Sequence, residues 1–183
     1  IQTIMQKLNQ QPDICPYFSP EFKVIPQYII MKEGECMELN NRTTSFFIFI
    51  LSGEITISFE QYTNRSVLEN EMFFLPKNNC FKWKAVTQTV LILTGYNATI
   101  FPCTSVRARI LYKIKAGVKF DCRGVVMKDE VKVVVNQMKH YLESGINCHH
   151  MYILKHKELY LMFKHFYTYE EIIQIFYLIL GSN

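Results

Sequence analysis

The stretch from Phe46 to Phe59, Phe-Phe-Ile-Phe-Ile-Leu-Ser-Gly-Glu-Ile-Thr-Ile-Ser-Phe, limits what this chain can fold into more than any other. Two apolar runs flank Ser52-Gly53, whose glycine supplies the positive backbone angle of a tight turn, so the stretch reads as two paired antiparallel strands. After the turn, Ile55, Ile57 and Phe59 alternate with Thr56 and Ser58, the pattern of a strand with one buried and one wetter face. Before it, residues 46 to 51 are apolar without a break, which requires cover on both sides. Such a strand belongs in a closed or sandwiched all-β unit.

The surrounding chain keeps that rhythm. Across residues 22–100, within a β-unit read as residues 22–126, short apolar runs are separated by turn chemistry: Lys32 to Gly34, Asn40-Asn41, Ser52-Gly53, Thr63-Asn64, Asn70-Glu71, Pro76 to Asn79, and Gly95 to Asn97. Spacing of about ten residues between such signals indicates a sandwich or barrel. Thr89 to Leu93 and Arg107 to Ile114 are read as its last strands, and residues 1–21, with Pro12, Pro16 and Pro20, as an irregular arm. Phe81 and Trp83 alternate with Lys82 and Lys84. With Tyr28, Phe47, Phe49 and Phe74 they are the candidate lining of a small-molecule cavity inside the barrel. The plainer reading is that these aromatics fill the barrel, because small barrels are normally packed with side chains.

At about Lys128 the period changes from two to 3.6. Val131, Val134, Val135, Met138 and Leu142 form the apolar stripe of an amphipathic helix that Ser144-Gly145 ends. This stripe is the candidate dimer seam, the competing reading being that it packs on the barrel. A second helix is expected from about His149 to Phe166, apolar on most sides. Thr168-Tyr169-Glu170-Glu171 has the form of a capping box and opens a third helix, Tyr169 to Leu180. Residues 127–183 thus read as a lobe of about three helices, and the fold class as α+β.

Composition narrows the function. Half of the 183 residues are apolar, with 14 Phe and 11 Tyr, which excludes a disordered chain. No run approaches the roughly 18 apolar residues of a membrane span, and no signal peptide is visible, so a cytoplasmic protein without membrane contact is expected. Six scattered cysteines show no metal-site spacing and fit a reducing compartment. All five histidines (His140, His149, His150, His156, His165) fall in the helical lobe, where surface or capping roles suffice. Nucleophile signatures and glycine-rich phosphate loops are missing, so no catalytic residue, metal or cofactor is expected. The net charge of +4 is concentrated in residues 101–183, where Arg107, Arg109, Lys113 and Lys115 alternate. On a strand they would share one face, a possible phosphate track, but a solvated face is the favoured reading. Lys155 and Glu158, at i, i+3, are expected to fix the docking of their helix if partly buried.

Gly34, Gly53 and Pro76 fall at glycine and proline positions of the two cupin motifs, and in framework this region resembles the cupin family, a jelly-roll barrel or double-stranded β-helix. Its metal-ligand positions here become Asn40, Arg42, Phe46 and Phe81, so the resemblance does not extend to a catalytic metal. Ile50-Leu51-Ser52-Gly53-Glu54, Met72-Phe73-Phe74-Leu75-Pro76, Lys155-His156-Lys157-Glu158-Leu159 and Phe166 to Glu171, in that order, resemble the amino-terminal domain of AraC-type bacterial transcription regulators, above all those of the Bacteroidetes kind. The resemblance implies a homodimeric regulatory domain that receives a small-molecule effector and acts on DNA only through a pair of helix-turn-helix units expected after residue 183. The alternative is a free-standing, metal-independent cupin enzyme such as a sugar isomerase or epimerase, with Glu54, Glu60 or Tyr96 as its base.

Overall fold

A computed structural model describes residues 26–41, 43–96, 104–117 and 120–180; the arm, residues 1–21, lies outside them. Among the described residues nine strands and four helices follow one another. The strands are β1 Gln27–Met31, β2 Cys36–Asn41, β3 Ser45–Ser52, β4 Glu54–Phe59, β5 Tyr62–Leu68, β6 Glu71–Leu75, β7 Asn79–Ala85, β8 Thr89–Tyr96 and β9 Val125–Val126. The helices are α1 Thr104–Lys115, α2 Asp129–Glu143, α3 His149–Phe166 and α4 Tyr169–Leu180. The strands form two antiparallel sheets, one in the order β1-β8-β3-β6-β9 and the other β2-β7-β4-β5. Successive strands that leave one sheet for the other in this order make a jelly roll.

That topology corrects the hairpin at Ser52-Gly53. β3 pairs with β6 and β8, whereas β4 pairs with β5 and β7, so the chain turns a corner between sheets at this point. Gly53 has φ +86°, and a Cβ there would lie 2.4 Å from the Gln88 carbonyl oxygen and 2.9 Å from Thr89 Cα. Only glycine passes this corner without displacing the opposite backbone. The tight hairpin lies one strand later, where Phe59 pairs with Tyr62 across Glu60-Gln61 and Glu60 takes φ +47°. The turn read at Thr63-Asn64 is inside β5.

The molecule has three layers. Isoleucines 48 and 50, Phe73, Leu75, Leu91 and Leu93 point from the five-stranded sheet toward Ile55, Ile57, Val67, Phe81 and Trp83 of the other. Phe47, Phe49, Met72, Phe74 and Ile92 point the opposite way and join a second core built with the helices. Residues 47 to 50 are all buried, as an unbroken apolar strand with cover on both faces must be.

Residues 104–115 are a helix rather than the strand read at Arg107 to Ile114. Ile110 is fully buried and Leu111 and Ile114 pack against the helix-side core, a 3.6-residue pattern that the alternating cations obscure. Tyr169 ends up beside Arg109, which donates to its hydroxyl and lies 5.5 Å over its ring. The end of α2 and the start of α4 follow their sequence signals. Gly145 follows α2 with φ +73°. At the start of α4 the Thr168 amide donates to Glu171 Oε2 at 2.8 Å and the Glu171 amide to Thr168 Oγ1 at 3.3 Å, a complete capping box. Among the described residues no helix is long and apolar enough to cross a membrane.

Lys155 ties α3 to α2. Its Nζ lies 2.7 Å from Glu158 Oε2, donates to Gln137 Oε1 of α2, and has a side chain only 16% exposed. Glu158→Ala would leave this half-buried cation with less compensation. The expected loss is about 1 kcal/mol, a fall in melting temperature of about 2–4 °C for a chain of this size. An unchanged calorimetric melt would reject the docking role.

Candidate functional site

The two groups of aromatics proposed for one cavity belong to opposite sides of a sheet. Phe81 and Trp83 lie in the core between the sheets, with at most 2% of their surface exposed, whereas Phe47, Phe49 and Phe74 lie in the helix-side core and Tyr28 packs against it. The six therefore do not line a common chamber. The reason is strand parity: in β3 the odd-numbered residues face the helices and the even-numbered ones face the second sheet. The inter-sheet space, where a barrel would hold a guest, is filled by isoleucine, leucine and aromatic side chains. Trp83 Nε1 is buried there without a hydrogen-bond partner among the described residues. Of the cupin ligand positions, Phe46 packs on this core and Phe81 is part of it, Asn40 is exposed on β2, and Arg42 lies outside the described residues.

The proposed dimer stripe is likewise covered from within. Val131, Val134, Val135 and Met138 are at most 1% exposed and Leu142 is half-buried, all against the helix-side core of the same chain. Residues so completely covered in one chain have no surface left for a second copy. The seam assignment is therefore corrected to the intramolecular reading.

What remains as a site is the seam between β8, β3 and the helices. His156, on the buried face of α3, reaches the sheet and places its Nε2 2.7 Å from Thr94 Oγ1, with Thr94 fully buried and His156 8% exposed. Beside it lies a cavity of about 20 Å³ lined by Phe47, Tyr96, His156, Leu159, Tyr160 and Phe176, among others. A space of this size holds about one water. Burial, reinforced by His149 nearby, pulls His156 down to about 4, so at neutral pH it is an uncharged hydrogen-bonding ring. Burial and then Tyr160 push the Tyr96 hydroxyl well above the usual phenol range, so it too stays neutral. At neutral pH these two rings can donate and accept hydrogen bonds without carrying charge.

Among the residues considered as bases, Tyr96 faces the helices rather than the barrel interior, packing edge-on to Phe47 and Phe74 at 5.6 and 5.5 Å. Glu60 sits exposed in the β4–β5 turn, and Glu54 is half-buried at the Gly53 corner. His149 corrects the surface reading of the histidines: it is 2% exposed, and burial and then His150 pull it below the usual imidazole value. Residue type alone does not mark His149 and His156 as buried. The available signal was their spacing of seven residues, which on a helix puts them on one face with Tyr152, Leu159 and Phe163.

The opposite face of α3 carries Leu154 and Leu161, 63% and 47% exposed, two turns apart, with Lys157 and Glu158 between them.

No family model matches this chain, and no curated protein matches it. Solved structures similar to it include a cupin superfamily protein from Desulfitobacterium hafniense, 16% identical over 39% of this chain and 66% of the other with a TM-score of 0.36. The cupin domain of Drosophila melanogaster CENP-C is 10% identical over 39% of this chain and 56% of the other, with a TM-score of 0.36. The Schizosaccharomyces pombe Cnp3 cupin domain is 17% identical over 57% of this chain and 69% of the other, with a TM-score of 0.40. The chain thus spans somewhat under two thirds of the length of the first two. These likenesses concern the fold alone. The order of the strands in the two sheets is what makes this a cupin-like jelly roll, to which four helices are added among the described residues.

Proposed function

We propose that this chain is a non-catalytic regulatory and dimerisation domain of an AraC-type transcription regulator, passing its state to helix-turn-helix units beyond residue 183. The observation that carries the reading is the exposed face of α3. A two-fold axis through the midpoint between Lys157 and Glu158 brings Leu154 onto Leu161 of a second, antiparallel copy and Lys157 beside the partner's Glu158. The stripe is thus complementary to itself, as an isologous interface must be. The filled inter-sheet core favours a regulatory role over the alternative of a metal-independent isomerase or epimerase, which needs an open interior with a base. The sequence motifs shared with AraC-type regulators supply the remaining support.

In this reading the element that responds is the helical layer. A small effector entering between the helices and β8 would take the place of the close packing around Tyr96 and His156. It would favour one arrangement of α3 over another by its differential affinity for the two. Sedimentation equilibrium tests the assembly: the chain is expected to be a dimer, and Leu154→Lys combined with Leu161→Lys a folded monomer with the wild-type circular dichroism spectrum and a melting temperature lowered only by the lost association. A wild-type chain that stays monomeric at high concentration rejects the seam. Sequencing the gene past Asn183 tests the class, since a stop codon there removes the regulator reading while a pair of helix-turn-helix patterns supports it.

A further inference from the structure

We infer that residues 120–124 are a latch between the sandwich and α4, which opens as a unit while the rest of the fold stays closed. The segment belongs to neither helix nor strand, and it passes from β5 to β6 across the side where the two sheets end. Cys122 is its plug, 1% exposed within the core between the sheets. Phe120 stands edge-on to Tyr62 of β5 with ring centroids 5.8 Å apart, and lies flat on Tyr177 of α4 at 4.9 Å and 8°. The Asp121 amide donates to Gln174 Oε1 of α4 at 3.0 Å. Leu178, next to Tyr177, packs against both cores. One short segment therefore ties the inter-sheet core to the second half of α4.

The contacts that close the latch are few. Among the described residues, the main chain of 120–123 makes no hydrogen bond to other backbone, whereas from Val125 onward the pairing with Met72 of β6 takes over and bounds the segment. Cys122 has φ +46°, a left-handed conformation unfavourable for a side chain of this kind. The packing around it has to impose that conformation, and it relaxes once the plug is withdrawn. Asp121 and Arg123 both face solvent and pair with each other at 3.1 Å, an exposed ion pair that adds little. Segments with few buried contacts and solvent-facing backbone open at a lower free energy than the core strands beside them. Open, the latch leaves the inter-sheet core reachable from the side between β5 and β6, and the end of α4 held by fewer contacts. The inference does not rest on the regulator reading, since it concerns a single chain whatever its assembly.

Alkylation of Cys122 reads the open form. Burial encloses this thiol and pushes it up to about 12, so the latched molecule does not react. The whole 183-residue chain is pulsed with iodoacetamide at several urea concentrations below the unfolding transition. Each cysteine is followed by mass spectrometry, with the exposed Cys36 as the standard for the reagent. Cys122 is expected to react more than about tenfold faster than global unfolding allows, at a rate that low urea hardly changes. Phe120→Ala, which removes both ring contacts, is expected to raise that rate about tenfold. It is also expected to speed amide exchange at Tyr177 and Leu178 beyond any change at Val134 to Met138 of α2. Ile57→Val lowers global stability from within the inter-sheet core without altering Phe120 or its ring partners, and is expected to leave the Cys122 rate as it is. Alkylation that climbs with urea as global unfolding does, or that rises with Ile57→Val, overturns the inference. So do equal changes of amide exchange in α4 and α2 when Phe120 is replaced.

Discussion

Phe47→Ala is expected to cost about 3–5 kcal/mol, the loss typical of a buried phenylalanine whose site cannot collapse. The Phe47 ring lies 5.0 Å from Phe74 and 5.6 Å from Tyr96 on the sheet, and 5.8 Å from Phe163 and 6.2 Å from Phe176 on α3 and α4. Removing it opens a hole where sheet and helices meet, and the four rings around it belong to four different elements that cannot all move inward together. A domain stable by about 5–15 kcal/mol would lose a large part of its margin. Urea unfolding followed both by far-ultraviolet circular dichroism, which reports the helices, and by Trp83 fluorescence, which reports the inter-sheet core, is the measurement. Both midpoints are expected to fall together. A loss below about 1 kcal/mol would show that Phe47 is not the packing link between the layers.

Acid is expected to destabilise the molecule through His156 from about pH 6.5 downward, beginning above the range in which carboxylates titrate. In the folded chain this ring is held near 4, against an ordinary value of 6.5. Below pH 6.5 the unfolded chain takes up a proton that the folded chain refuses, so the unfolded state binds more protons and stability drops as pH falls. The contribution is fully present above about pH 6.5 and is lost through the interval down to about 4, at about 1.4 kcal/mol per pH unit and about 3 kcal/mol in all. His149, shifted in the same direction, adds to the slope. His156→Gln keeps a hydrogen-bonding group near Thr94 Oγ1 but cannot titrate. Its unfolding free energy between pH 6.5 and 4 is expected to be clearly flatter than that of the wild type. Identical slopes in the two proteins would place the acid sensitivity elsewhere.

Several elements were legible because local chemistry alone decides them. Helix ends at Gly145 and Thr168 follow from a left-handed stop and a capping box, and both need only neighbouring residues. The two-sided burial of β3 followed from its unbroken apolar run. The Gly53 corner was not legible as such. A glycine turn has the same sequence whether the next strand lies down beside the last one or crosses to the facing sheet, and only the pairing of β3 with β8 and of β4 with β7 distinguishes them. The helix at residues 104–115 was hidden because four cations at odd positions imitate the alternation of a strand, while the three apolar residues that face the core carry the true period. The site was the least legible part. A strand with six apolar residues in a row gives no indication of which parity faces the barrel, and so cannot separate Phe47 and Phe49 from Phe81 and Trp83. The dimer stripe on α2 and the exposed leucines on α3 differ in sequence only by degree, and tertiary cover separated them.

One sheet sandwiched and the other half in water also divides how far the sequence can drift. Residues 47 to 50 of β3, 72 to 75 of β6 and 91 to 95 of β8 are buried without interruption, so every substitution there meets one of two cores. On β2 and β7 the outward positions Cys36, Glu38, Asn40, Cys80, Lys82 and Lys84 are exposed and touch neither core. Within the two sheets, substitutions should therefore be tolerated best on that outer wall, where charge can change while the two cores behind it stay as they are.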